Sequence, residues 1–401
     1  MEKQLTLRKH VLLDCGARRG EVAELLAYNQ QHFDRSQISQ LKFPLPDERF
    51  VSFWEHYSRE VNNAGSIRIL DQYLPQLRFP IRHGISRDPD YVAATKCGIA
   101  PPPRAATGLK LREPHRCKVL LYTTPAGRIP ILQVGAREDF VLLVQALTKG
   151  NEPVPILESM GACMVSGYRN WDRIRQIAAH SETCGLPDRD TGEVLKNKAN
   201  YQDRFIILSS NYYSGVLPAD VGLSEQEWRN LSIVIRREHE CVHYFTRRVF
   251  SSMRNNLIDE VIADYRGIVA AQGYFRSDWM LRFFGLEEFP NYRTGGRLEN
   301  YRGSPPLSSG AFRVLQVLVK QAAENLAAFD NQIAATHAQP GDFLRCVLLL
   351  SAFTLEELAA DSAPESLRGD FIEQFGESIL GSRAHRSQKN RVWQDPCVLD
   401  N

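Results

Sequence analysis

Residues 239–243 read His-Glu-Cys-Val-His, a spacing that suits binding a divalent cation and deprotonating a water beside it. On a helix, positions i and i+4 differ by only about 40° around the axis, so both imidazoles can reach one ion. Glu240 lies about 100° on from His239, at the edge of the same face. There it can approach the ion's water without taking a coordination position. Cys241 points to the other side and is not expected to be a ligand. With 10 histidines in 401 residues, chance supplies on the order of 0.02 copies of the pattern. The bland alternative is a helix turn whose histidines are only hydrogen-bonded.

A catalytic zinc takes three protein ligands and leaves one position for water. The stretch NNLIDEVIAD places Glu260 seventeen positions after His243, room to finish one helix, turn and return antiparallel. Glu260 is the expected third ligand, with Asp264 orienting a ligating imidazole from behind. Asp259 and Asp264 are the fallback ligands. Against this stands a plain helix start, with Asn256 as N-cap and acidic residues complementing the dipole.

HECVH followed by DEVIAD resembles the HExxH plus ExxxD pattern of the gluzincin metallopeptidases, the thermolysin-like class. The resemblance is limited to residues 239–264. It implies zinc ligands His239, His243 and Glu260, with Glu240 as catalytic general base and Asp264 in support. It also implies a zincin-like α+β fold, in which an α/β lobe precedes the active-site helix and an edge strand binds extended substrate. RFIILSSNYY, ending near residue 213, is placed to be that strand. The Cys inside the motif and the short spacing depart from the usual pattern, and no segment matches the usual downstream histidine.

Whatever the family, zinc brings the pKa of a bound water to about 7, and Glu240 can take its proton and pass it to a leaving group. A donor to the developing oxyanion must come from elsewhere. Tyr292, Tyr301, Arg302 and His337 are candidates. The expected function is a zinc-dependent metallohydrolase acting on a peptide or small amide substrate. One rival is a non-haem Fe(II) enzyme of the two-His-one-carboxylate kind. The other is a non-catalytic protein in which a closed metal site ties two helices together.

The elements that must hold these residues follow from local pattern. Ser224 and Glu227 form a capping box, so a helix should run from Glu225 to about Phe250. A second spans roughly Asn256–Gln272 and stops at Gly273. Further helices are expected at Gly310–Ile333, Phe343–Ala360 and Ser366–Ile379, with a frayed basic tail. Upstream, KVLLYTT and RIPILQV flank Pro125-Ala126-Gly127 as a hairpin over 118–134. A helix follows at Glu138–Thr148, another at Trp171–His180, and RFIILSS (204–210) reads as a strand. SMGACMVSGYRNWDRI (159–174) reads as a tight turn before a helix or as a substrate-binding loop. YRTGGRLENYRGSPP (292–306) reads as a connecting loop or a lid.

Near the N-terminus, helices are expected at Glu21–Phe33, Phe50–Val61 and Ile67–Leu77. The prolines at 101–103 make Ala100–Thr107 a linker or surface loop. The chain then divides into a mainly helical region 1–115, an α/β region 116–222 with the sheet, and a helical metal-binding region 223–401.

Composition sets the outer limits. Lys+Arg 49 against Asp+Glu 47 leaves a net charge of +2, which gives no reason to expect nucleic acid or a membrane surface as partner. Eight cysteines without a CxxC pair or a leader-like start are expected to be reduced thiols in a cytoplasmic protein.

Overall fold

The computed structural model describes residues 2–183, 191–252, 256–334 and 342–381. The fold is α+β, with one small mixed sheet among many helices. No helix among these residues is long and apolar enough to cross a membrane.

The sheet is built from β1 (Lys118–Thr124), β2 (Gly127–Val134), β3 (Ala162–Arg169) and β4 (Gln202–Ser209), in the order β1-β2-β4-β3. The β1–β2 hairpin closes where Thr124 pairs with Gly127, so Pro125 and Ala126 make the turn. β4 lies parallel to β2 with Ile131 opposite Ile206, and antiparallel to β3 with Met164 opposite Ile206. Period-two alternation divides β4's apolar run between the two faces. Phe205 and Ile207 enter one core, and Ile206 and Leu208 enter the other. An interior position is what a strand apolar on both faces requires.

This overturns the expectation that RFIILSS lies at the sheet edge. The edge strands are β1 and β3, and β3 lies in the segment read from sequence as a turn or loop. Its mixed residues, with Ser166 and Arg169 exposed, hid a strand pairing on one side only.

Helices complete the layers. In chain order they are α1 (Glu2–Asp14), α2 (Arg19–Tyr28), α3 (Val51–Ala64), α4 (Pro89–Cys97), α5 (Arg137–Thr148), α6 (Trp171–Thr183), α7 (Thr191–Leu195) and α8 (Pro218–Val221). Then follow α9 (Glu225–Val249), α10 (Ile258–Gln272), α11 (Ser277–Phe284), α12 (Ser309–Ala334), α13 (Phe343–Leu350), α14 (Leu355–Ala359) and α15 (Ala363–Gly381). α3 and α5 cover the Phe205 face through Trp54, Tyr57, Phe140 and Leu143. α9 lies across the Ile206 face, and α10 to α15 extend that core. α1 and α2 join the C-terminal helices, with Arg8 paired to the buried Glu356 of α14.

Two expected helices are broken. Ile67–Leu77 is two 3-10 turns, Ile67–Gln72 and Pro75–Arg78, because Pro75 forces Leu74 to φ −111°, ψ 93°. Phe343–Ala360 divides into α13 and α14 where Thr354 and Glu357 form a new capping box.

Candidate metal centre

The capping box at Ser224 starts α9 as the sequence implies, with the Ser224 side chain accepting from the Glu227 N–H. α10 returns antiparallel against it. Gly267 permits the close approach, since a Cβ there would meet the Ile235 carbonyl oxygen at 2.7 Å. Tyr122 and Arg266 both bind the buried Glu238, fixing α9 to β1 and to α10. Asn256 does not cap α10. It sits at φ 56° and its side-chain amide donates to the Tyr28 carbonyl.

These two helices bring His239, His243 and Glu260 together, with one ligand atom of each within 4.8 Å of the others. Both histidines are 7% exposed. The two Nε2 atoms are 3.1 Å apart. Glu260 Oε2 is 3.4 Å from Nε2 of His239, and Oε1 is 3.5 Å from Nε2 of His243. Ligands at about 2.05 Å around a tetrahedral zinc are separated by about 3.3 Å, so the donor triangle has the size such an ion needs.

The far side of the His239 ring fixes which of its nitrogens faces the triangle. His239 Nδ1–H donates to Asp264 Oδ1 at 2.9 Å. The Tyr213 hydroxyl donates to the same oxygen at 2.6 Å and lies 3.0 Å from Nδ1. Arg297 donates to Asp264 Oδ2 and, at 2.9 Å, to the Tyr213 oxygen. His243 Nδ1 points towards Asp259 Oδ2 at 3.8 Å. The fallback ligands Asp259 and Asp264 therefore lie behind the rings rather than in the triangle.

Electrostatics follow from this geometry. Burial opposes a charge on His239, but Asp264 and Glu260 outweigh it and raise its pKa to about 10. Burial lowers His243 to about 4, and its neutral ring offers a lone pair. Glu260 is held well below the usual carboxylate range: burial opposes this, and the hydrogen bond from the charged His239, with the charges of His239 and Arg297, prevails. Burial raises Glu240 to about 7, partly offset by His239. Cys241 is fully buried away from the triangle, its thiol pushed well up by desolvation.

Glu240, His239 and Glu260 open onto a pocket of about 180 Å³, whose other walls include Met160, Gly161, Arg236, Arg297 and Tyr301. A larger cavity of about 450 Å³ near Arg68 and Leu109 contains neither histidines nor glutamates. Chemistry outweighs size here, and the smaller pocket is the candidate site. Of the four expected donors, Tyr301 reaches it, donating to Glu260 Oε2 at 2.7 Å. Tyr292 binds the Gly296 carbonyl and Arg302 the Leu307 carbonyl. His337 lies outside the described residues.

A model of a family of unknown function, DUF7005, matches residues 10–362. The chain belongs to the DUF7005 family. No curated protein and no solved structure matches it. The matched DUF7005 span runs from α1 to the end of α14 and includes every residue of the triangle, with Tyr213, Arg297 and Tyr301.

Tyr213 and Arg297 escaped the sequence reading. Tyr213 follows β4 in a short 3-10 turn, and Arg297 opens another (Arg297–Tyr301) within the glycine-rich 292–306 stretch. Neither has a spacing relation to the motif. The density of Arg, Tyr and Gly in that stretch was the only signal available.

Proposed function

We propose that this chain is a zinc-dependent hydrolase that cleaves a peptide or other amide bond. The observation that carries the reading is the triangle of two inward-facing Nε2 atoms and the Glu260 carboxylate, opening on the pocket that Glu240 shares. Among the described residues no fourth His, Cys or acidic side chain joins the group, which favours an open position over a closed structural site.

His239, His243 and Glu260 would hold the ion. When bound, zinc brings the pKa of its water near 7 and polarises a carbonyl. Glu240 takes a proton from the attacking water as the oxygen bonds to the carbonyl carbon. It then delivers that proton to the amide nitrogen as the C–N bond breaks. Tyr301, in the same pocket, gives its one hydroxyl proton to Glu260 and so orients that carboxylate. Asp264, itself held by Tyr213 and Arg297, keeps Nε2 of His239 free for the ion.

Substrate would lie along β3. That strand has a partner on one side only, and its approach, Ser159–Ala162, lines the pocket. An open edge accepts an extended chain by backbone hydrogen bonding. Leu157, 62% exposed, stands at the same mouth.

Glu240→Gln keeps the shape and removes the base. The variant is expected to bind one zinc per chain and to hydrolyse a mixed peptide library about 10²–10⁴-fold more slowly than wild type. His239→Ala is expected to lose the zinc. Hydrolysis at the wild-type rate by the Glu240 variant would sink the reading. Metal analysis of protein purified without added zinc separates it from the iron alternative.

A further inference from the structure

We infer that Tyr28, near the start of the chain, is a positioning residue of this site, acting through Tyr301. The inference rests on the metal-hydrolase reading above. Tyr28 closes α2, and its hydroxyl donates to the Tyr301 carbonyl at 2.5 Å. Its ring lies 3.4 Å from where a Cβ of Gly303 would be, so it also seats the chain just beyond Tyr301. On its other side, the Tyr28 carbonyl accepts from Asn256, in the connection that leads into α10 and hence to Glu260.

Tyr28 thus joins the two segments whose side chains meet at the site, where the Tyr301 hydroxyl donates to Glu260 Oε2 at 2.7 Å. A carboxylate that must both hold an ion and accept this bond depends on where the donor is fixed. Desolvation, reinforced by Asp259 and Glu260, pushes the Tyr28 phenol well up, so it remains a donor.

α2 has separate anchors that do not involve this hydroxyl. Glu24 accepts from the Ser308 backbone at 2.6 Å and from its hydroxyl at 2.7 Å. Asn29 donates to Glu356 at 3.2 Å and its carbonyl accepts from Arg8 at 3.1 Å. Removing one hydroxyl should therefore spare the fold.

The test compares Tyr28→Phe, Tyr301→Phe and the double variant in the full chain. Zinc affinity is read by competition with a chromogenic chelator, and ligand geometry by the visible absorption of the Co(II)-loaded protein. Tyr28→Phe is expected to melt within a few degrees of wild type, yet to weaken zinc about 3- to 10-fold and shift the cobalt bands. Losing the outer partner outright typically costs about 10–100-fold. The double variant should be no worse than Tyr301→Phe alone, because both changes act along one path.

Glu24→Gln loosens the same helix without touching Tyr301. It is expected to lower the melting temperature and leave the cobalt spectrum unchanged. Wild-type zinc affinity and spectrum in Tyr28→Phe would overturn the inference. Additive losses in the double variant, or an equal spectral shift in Glu24→Gln, would overturn it too. A wild-type protein that binds neither zinc nor cobalt would instead defeat the reading beneath it.

Discussion

His239 is held from both ends, by Asp264 and Tyr213 at Nδ1 and by Glu260 and His243 at Nε2. Without an ion, Nδ1–H faces Asp264 and a second proton on Nε2 faces Glu260, and these two carboxylates raise the pKa to about 10 despite burial. A cation entering the triangle must displace that second proton. Zinc affinity is therefore expected to climb about tenfold per pH unit between about pH 8 and 10, above Glu240's transition, and then level off. Chelator competition across that range checks it, and a flat profile would count against the arrangement. Metal-free stability should run the other way. The raised histidine stabilises the fold fully below its ordinary value near 6.5, and the gain disappears as pH passes through about 10. The triangle was legible in the sequence because i,i+4 periodicity and an acidic residue on a returning helix are local facts. Tyr213 and Arg297 were not, since their approach depends on how two short 3-10 turns pack against Asp264.

Among the elements, the contact between α9 and α10 decides whether the donor atoms converge. Gly267 is one point of close approach, where an added Cβ would meet the Ile235 carbonyl oxygen. Gly267→Ala has a helical backbone to accept it, yet its Cβ must push α10 outward. We expect a loss of about 1–3 kcal/mol, as for overpacking, with zinc affinity falling alongside. Urea unfolding and chelator competition measure the two, and an unchanged affinity would show that the helices can separate without opening the triangle. Helix starts at Ser224 and stops at Gly273 were readable because capping depends on neighbours in sequence. The order of strands was not. An apolar run fits an edge or a centre until its partners are known, and β4 took the centre by burying both faces while the mixed β3 took an edge.

For the molecule as a whole, the sheet is tied to its helices by a buried polar cluster separate from the His239–His243–Glu260 triangle. Asp203 on β4 accepts from Trp54 at 2.9 Å, Asn170 at 2.7 Å and Arg173 at 2.5 Å, joining α3, β4 and α6. Both ionic side chains are fully covered. Arg173→Met leaves a carboxylate without its counter-charge and is expected to cost about 3–5 kcal/mol. Changing Asp203 to Asn as well should recover part of this, and guanidinium unfolding of both variants checks the sign. Sequence inspection could not assemble this cluster, because its members lie up to 149 positions apart and have no common period.

The longest of the site's ties has a consequence for synthesis. Tyr28 meets the Tyr301 carbonyl across 273 positions, so a chain still on the ribosome has its histidines long before it has the residues that seat Glu260. A nascent chain should therefore carry His239 and His243 with Glu260 still unseated until Tyr301 has emerged and folded back onto Tyr28.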